Sequence, residues 1–321
     1  MNPGNREGDR LSVVIPVYNE VDVLPEFYRR MADVARGVDG RVELIFVDDG
    51  SIDGSLQILH DLSVVDPRVA VLELSRNFGK EIAMTAGLDH ARGDAVVVID
   101  ADLQDPPELI PEMISHWRDG YDVVYAKRTA RVGESFLKKS TAYLFYRVIG
   151  SLSRVSIPRD TGDYRLLSRR AVDAVIELRE QHRFMKGLFA WIGFAQKEVP
   201  YERQIRHDGT TKWNMRSLWN FAMEGITSFT ILPLKIASYI GFLTAVGAFI
   251  FGLFMILDTL LFGNPVQGYP SLMVVMLFLG GVQLMAIGVI GEYLGRMFDE
   301  TKGRPLYLLK DYRPAKSIPE E

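Results

Sequence analysis

Two stretches near the carboxyl end, residues 236–257 and 272–290, are almost free of charge. Each exceeds about 18 apolar residues, enough for an α-helix to cross a hydrocarbon core about 30 Å thick. A buried hairpin in a soluble protein is the competing reading, and two such runs side by side weigh against it. The segment between them, 263–270, is short, uncharged and made of turn formers, whereas Lys235 precedes the first run and Arg296, Lys302, Arg304, Lys310 and Arg313 follow the second. Positive charge confined to the flanks predicts that both chain ends face the cytoplasm. Asp258 and Glu292 fall near the ends of the runs, where a carboxylate reaches the interface, so neither requires a transport role. Two spans read as an anchor rather than a pore.

The part before the runs, in a chain of 321 residues, is long enough for one sizeable domain. Residues 11–17, 43–47, 69–74, 95–99 and 122–126 are apolar runs of strand length; helical patterns follow over 23–35, from the turn at 51–53, over 80–91 and over 108–118. This alternation predicts an α/β domain with a mostly parallel sheet and helices on both faces. The domain is expected over 11–212, an interfacial segment over 213–234, two transmembrane helices over 235–292 with a non-cytoplasmic loop near 263–270, and a cytoplasmic tail over 293–321. Residues 1–10 lack the apolar core of a secretory signal and, like 314–321, are expected to be disordered.

The fourth strand runs straight into Asp100-Ala101-Asp102-Leu103-Gln104-Asp105-Pro106. Alternate side chains of an extended chain share a face, so the oxygens of Asp100, Asp102 and Gln104 are expected to converge on one hard divalent cation that holds a diphosphate. A polar turn after a core strand has the same composition, so the motif alone decides little. Two other strands end in the same manner, in Val17-Tyr18-Asn19-Glu20 and Val47-Asp48-Asp49-Gly50-Ser51. Acids and turn residues gathered at strand ends describe the ligand edge of an open α/β sheet. Lys80, opening a helix, is a candidate phosphate contact or a solvated lysine. The chain has no cysteine, which excludes disulfides, thiolate metal sites and a cysteine nucleophile, and its net charge of -4 gives no sign of nucleic-acid binding.

Residues 134–157 interleave Phe136, Leu137, Tyr143 and Phe145 with Lys138, Lys139, Arg147 and Arg154, the pattern of a helix lying among lipid headgroups or packed on the domain. The neighbouring spans favour the headgroups. Residues 213–230, with Leu218, Trp219, Phe221, Met223 and Ile226, read as an interfacial connector.

The strand-end motifs just quoted, together with Arg76-Asn77-Phe78-Gly79-Lys80-Glu81, Gly162-Asp163-Tyr164-Arg165 and Gly291-Glu292-Tyr293-Leu294-Gly295-Arg296, resemble the family 2, GT-A fold glycosyltransferases. More narrowly they resemble the polyprenyl-phosphate glycosyltransferases, the group of bactoprenol glucosyltransferase and dolichol-phosphate mannose synthase. The resemblance extends from about Leu11 to Leu309. It implies a GT-A, nucleotide-diphospho-sugar transferase domain in which Pro16, Tyr18, Glu20 and Asp49 hold the nucleoside, with Asp48 beside them. It further implies that Asp100, Asp102 and Gln104 hold Mg²⁺ or Mn²⁺ against the donor diphosphate, and that the loop carrying Arg206 and Lys212 closes over that diphosphate. For the acceptor, a lipid phosphate, Arg128, Lys139 and Arg165 are the candidate steering cations. Asp102, Asp163 and Arg165 are the catalytic candidates, Asp163 as a group that orients acceptor or sugar, or as a base. A phosphate monoester with a second pKa of about 6 is already largely dianionic at neutral pH and needs little deprotonation.

The implied reaction is inverting transfer of a sugar, UDP-glucose being the favoured donor, to undecaprenyl phosphate at a bacterial inner membrane, for cell-envelope glycans such as lipopolysaccharide. The implied partners are the nucleotide sugar, the lipid acceptor, the bilayer and further copies of the chain in a homo-oligomer, with functional links to a flippase and a downstream glycosyltransferase. Mannose, an aminoarabinose derivative or an N-acetylhexosamine stay open as the sugar, because fold does not set specificity. Processive polysaccharide synthases resemble one another in a Gln-x-x-Arg-Trp signature, and Gln181-His182-Arg183-Phe184 does not match it. From another class, a nonenzymatic membrane scaffold is the alternative, and the intact acidic motif argues against it.

Overall fold

The computed structural model describes residues 8–38, 40–129, 161–201, 232–262 and 268–316. They fall into two units, one made of the described residues up to 201 together with 305–316, the other of those between 232 and 304.

The first unit is built on an eight-stranded sheet. In chain order it contains β1 (Arg10–Val17), α1 (Leu24–Gly37), β2 (Arg41–Asp48), α2 (Ser55–Val65), β3 (Val69–Leu74), α3 (Lys80–His90) and β4 (Ala95–Val98). A 3₁₀ turn over Pro107–Leu109 leads into α4 (Ile110–Arg118), followed by β5 (Val123–Arg128), β6 (Thr161–Ser168), α5 (Arg169–Glu177), α6 (Met185–Trp191), β7 (Gln196–Tyr201) and, after the second unit, β8 (Leu309–Arg313). The strand order is β7-β5-β6-β4-β1-β2-β3-β8. β4, β1, β2 and β3 pair in parallel, as do β5 and β7, while β6 and β8 run against their neighbours.

The central strands are apolar on both faces because helices cover both. Val13, Val14, Ile15, Leu44, Ile45, Phe46 and Leu72 are all fully buried, as a parallel sheet requires. α1 opens with Pro25 in its first turn and Glu26 beside the positive helix end, and it presents Phe27 and Met31 to the core. α3 lies so close to the sheet that a Cβ on Gly87 would stand 2.2 Å from Val14 Cγ1, which leaves room for glycine only. Ser168 caps α5, its hydroxyl accepting from the Ala171 N–H.

The expected strands and helices of the amino-terminal part are all present, with ends shifted by a few residues. Two features differ from the sequence reading. The fifth strand of the parallel run does not pair with the fourth: β6 inserts antiparallel between β4 and β5, in the register Val98↔Arg165 and Tyr125↔Arg165. And the described part of 293–321, up to residue 316, is not a tail. β8 returns to the sheet as an antiparallel partner of β3, Tyr307 donates to Asp89 at 2.8 Å, and the Lys316 N–H donates to the Pro67 carbonyl at 2.7 Å. The disorder expected from 314 does not hold for 314–316, which this pairing and burial of Ala315 fix; 317–321 lie outside the described residues. At the other end, Arg10 already belongs to β1.

The second unit is two helices that pack on each other, α7 (Leu232–Phe262) and α8 (Tyr269–Thr301). Leu234–Phe254 and Phe278–Thr301 are long and apolar enough to cross a membrane. Large apolar side chains such as Phe242, Phe249, Phe278 and Leu284 stand exposed on them. The expected headgroup helix over 134–157, with Lys139, and the connector over 213–230 lie outside the described residues, as do Arg206 and Lys212.

Candidate active site

Because β4, β1 and β2 are parallel, their carboxyl ends open at one edge of the sheet, and the loops that follow them build a cavity of about 470 Å³. The end of β1 supplies Pro16, Tyr18 and Glu20 to its lining. Asn19 takes a left-handed φ of 54°, and its carboxamide oxygen accepts from the Ile52 N–H at 2.8 Å, which ties this loop to the one after β2.

The two acids at the end of β2 part company. Asp49 lines the cavity, and its carboxylate accepts from the Phe78 and Gly79 N–H groups at 2.7 and 2.9 Å, fixing the loop that opens α3. Gly50 makes that approach sterically feasible: at φ 72° it would, with a Cβ, lie 2.7 Å from the Asn77 nitrogen. Asp48 instead turns into the protein, 1% exposed, and accepts from the Ser51 N–H at 3.1 Å. It shapes the turn and does not line the cavity.

The acidic motif also reaches the cavity by another route than strand alternation. β4 ends at Val98, and Asp100 to Asp105 form turns in which Leu103 has a φ of 59°, a conformation costly for a leucine and held by burial of its side chain. Asp102 Oδ1 accepts from the Gln104 N–H at 3.1 Å. Asp100, Asp102 and Gln104 nevertheless line the cavity together.

β6 completes the site. Running antiparallel, it starts where β4 and β5 end, so Gly162 and Asp163 enter the cavity beside Asp100. Lys80 Nζ, on the first residue of α3, lies 2.7 Å from Asp100 Oδ2 and 2.6 Å from Asp163 Oδ2. The other Asp163 oxygen, Oδ1, is buried and has no hydrogen-bond partner among the described residues. Burial alone would raise the Asp163 pKa; Lys80 and Lys186 outweigh it and hold the carboxyl ionised below the usual range. Burial alone would likewise lower Lys80, and Asp100 and Asp163 keep it charged. For Asp100 burial prevails, and its pKa is raised.

Two arginines predicted together are separated. Arg128 lines the cavity and donates from Nε to the Tyr201 hydroxyl at 3.2 Å; that hydroxyl donates in turn to Asp105. Arg165 does not line it. Its guanidinium lies 4.0 Å from the Phe189 ring centre and donates to the Gly162 and Asp163 carbonyls at 2.9 and 3.3 Å. It therefore braces the start of β6, which presents Asp163: the two side chains share a face of the strand, and Arg165, two residues farther along, is buried against Phe189 and stays out of the cavity. Sequence reasoning missed Lys186, which lines the cavity from the start of α6, and Glu81, which accepts from the Met185 N–H at 3.0 Å and so fixes that helix. In the sequence Lys186 stands in Phe184-Met185-Lys186-Gly187, where nothing but its charge marks it.

Burial, with Asp163 nearby, pushes the Glu81 carboxyl up to about 7. A carboxyl protonated when folded and ionised when unfolded contributes stability that is present below the unfolded pKa and lost as pH rises through the folded one. Glu81→Gln retains an acceptor for Met185 and is expected to weaken the loss of thermal stability between pH 5 and pH 8, by about 1 kcal/mol or more. Melting curves of both proteins across that interval check it.

The sequence model of glycosyl transferase family 2 matches residues 12–176. An uncharacterised glycosyltransferase of Synechocystis sp. is 50% identical over 311 residues, covering 97% of this chain and 98% of that protein. The bactoprenol glucosyl transferase of Shigella phage SfV is 48% identical over 302 residues, covering 94% and 98% respectively. Among solved structures, glucosyl-3-phosphoglycerate synthase from Mycobacterium tuberculosis, in complex with Mn²⁺ and UDP-glucose, aligns with a TM-score of 0.47 at 21% identity over 67% of this chain and 76% of that one.

Proposed function

The chain belongs to glycosyl transferase family 2 and is a glycosyltransferase of GT-A-like fold, and on that premise we propose that it moves glucose from UDP-glucose to undecaprenyl phosphate. The observation that carries the reading is the cavity at the carboxyl edge of the sheet. There Asp100, Asp102 and Gln104 face the cations Lys80, Arg128 and Lys186.

The donor set fits a divalent metal. It consists of hard oxygens, two of them carboxylates, with the orphaned Asp163 Oδ1 close by, and it suits Mg²⁺ or Mn²⁺ rather than a soft ion. Bound to Asp100, Asp102 and Gln104, such an ion supplies charge neutralisation to the departing diphosphate. The nucleoside lies against Pro16, Tyr18 and Glu20. Asp49 acts by holding the loop at Phe78 and Gly79, and Arg206 and Lys212 supply further positive charge to the diphosphate.

The acceptor phosphate oxygen attacks the anomeric carbon from the face opposite the diphosphate. The bond to UDP breaks as the new carbon–oxygen bond forms, so an α-linked donor gives a β-linked product. Arg128, steadied by Tyr201 and Asp105, steers the acceptor phosphate, with Lys139 as a second cation. Asp163 orients the sugar or the acceptor. The apolar helices α7 and α8 cross the membrane as a hairpin, which accounts for their exposed phenylalanines and leucines and for the basic residues Lys235, Arg296, Lys302 and Arg304 at one side. With both flanks cytoplasmic, the hairpin keeps the enzyme on the surface that holds its acceptor.

The test is transfer of radiolabelled sugar from a panel of UDP- and GDP-sugars to undecaprenyl phosphate by the purified full chain in detergent, with Mn²⁺, Mg²⁺ or chelator. Chelator-sensitive labelling from UDP-glucose is expected. Labelling from mannose, aminoarabinose or N-acetylhexosamine donors changes the sugar and keeps the chemistry. Nucleotide binding without labelling of the lipid overturns the acceptor and favours the scaffold.

A further inference from the structure

Lys80 is the most heavily committed cation of the cavity. Its ammonium sits between two carboxylates, 2.7 Å from Asp100 and 2.6 Å from Asp163, and one of those carboxylates belongs to the set that fits a divalent ion. We propose that the Lys80 ammonium stands in for the divalent cation while the donor is absent, and releases Asp100 only when a nucleotide diphosphate arrives to receive it, so that metal and nucleotide bind as a pair. The inference rests on the metal and donor reading of the cavity and assigns Lys80 a role within it.

Three features of the chain support it. A dication on Asp100 and an ammonium on the same carboxylate repel each other, so the two compete for one site. The backbone of Lys80 is fixed, since it follows Gly79, whose φ is 98° and whose N–H is held by Asp49; its side chain is 42% exposed and can swing on its four-carbon stem without moving α3. The cavity also offers a reason for the ammonium to leave. A diphosphate brings anionic oxygens that a lysine binds as a point charge. Asp163 is not stranded by the exchange, because Lys186 lines the same cavity and also bears on its charge. A bare metal must therefore displace Lys80 with nothing to compensate it, whereas metal and diphosphate together exchange one set of ion pairs for another.

The experiment measures Mn²⁺ binding to the purified full chain in detergent by electron paramagnetic resonance of the free ion, with and without UDP. Lys80→Gln is expected to bind Mn²⁺ alone about tenfold more tightly than the parent, a modest gain because the ion pair is partly solvated. Lys80→Arg, which keeps the charge, is expected to match the parent. With UDP present the advantage of Lys80→Gln should vanish or reverse. The parent protein alone gives a second readout: Mn²⁺ and UDP should each bind at least about tenfold better in the presence of the other. Lys80→Gln binding Mn²⁺ alone no more tightly than the parent overturns the proposal, and so does independent binding of Mn²⁺ and UDP to the parent. Loss of Mn²⁺ binding in Asp102→Asn with indifference to Lys80 leaves the metal site standing and removes only the role of Lys80. Failure of the parent to bind Mn²⁺ even with UDP removes both.

Discussion

Asp102→Asn is expected to lower lipid-sugar formation by about 10³-fold or more and to leave the melting temperature nearly unchanged. The size follows from what is removed. An anionic ligand for the divalent ion is lost, and charge stabilisation of a leaving diphosphate is worth several kcal/mol, each 1.4 kcal/mol being about tenfold in rate. Stability should survive, because the hydrogen bond that Asp102 makes inside the protein, accepted from the Gln104 N–H, is one that an asparagine oxygen also accepts. The check pairs initial rates with thermal unfolding and with Mn²⁺ titration in the presence of UDP. A variant that melts normally yet keeps more than about a tenth of the parent rate would contradict the role given to Asp102.

Asp163→Asn is expected to reduce kcat by about 10²-fold with a smaller change in KM for the donor. Asp163 is 9% exposed, accepts from Lys80 with one oxygen and buries the other without a partner among the described residues. The substitution preserves shape and removes the charge that helps hold the ammonium. The pH profile separates this orienting role from that of a base. Lys80 and Lys186 hold Asp163 ionised well below neutrality, against the contrary effect of burial, so its protonation cannot produce an acid limb in the usual assay range. The rate is instead expected to fall below a pH of about 6, where the acceptor phosphate takes up its second proton, and that limb should persist in Asp163→Asn. Its disappearance in the variant would make Asp163 the titrating group.

The amino-terminal half of the fold was legible because its signals are local. β1, β2, β3 and β4 are apolar runs bounded by turn residues, and a strand buried on both faces announces itself in that way. β6 carried no such signal: Thr161-Gly162-Asp163-Tyr164-Arg165 holds two charges and a glycine, and it is a strand because β4 and β5 flank it. β8, Leu309-Lys310-Asp311-Tyr312-Arg313, is three-fifths charged, and its conformation is set by the free edge of β3. The site divides along the same line. The acids and the strand-end residues were found by their position, but whether a charged residue on a strand faces the cavity depends on register. Asp48 turns into the protein where its neighbour Asp49 lines the cavity, and Arg165 shares a face with Asp163 yet lies two residues farther along β6, buried against Phe189; Lys186 stands on a short helix that carries no signal of its own.

The return of β8 makes the catalytic unit discontinuous along the chain. Glu73 and Lys310, joined at 2.5 Å, are 237 residues apart, and both long apolar helices are synthesised between them. During translation the edge of β3 therefore emerges early and stays unpaired until the whole hairpin has left the ribosome. Until then it is an open β-edge, the kind of surface that recruits a neighbouring chain. Synthesis of the two long apolar helices and completion of the enzyme are thus coupled in time, and a chain stalled between the two helices is a nascent protein with an unprotected sheet, exposed to chaperones and proteases.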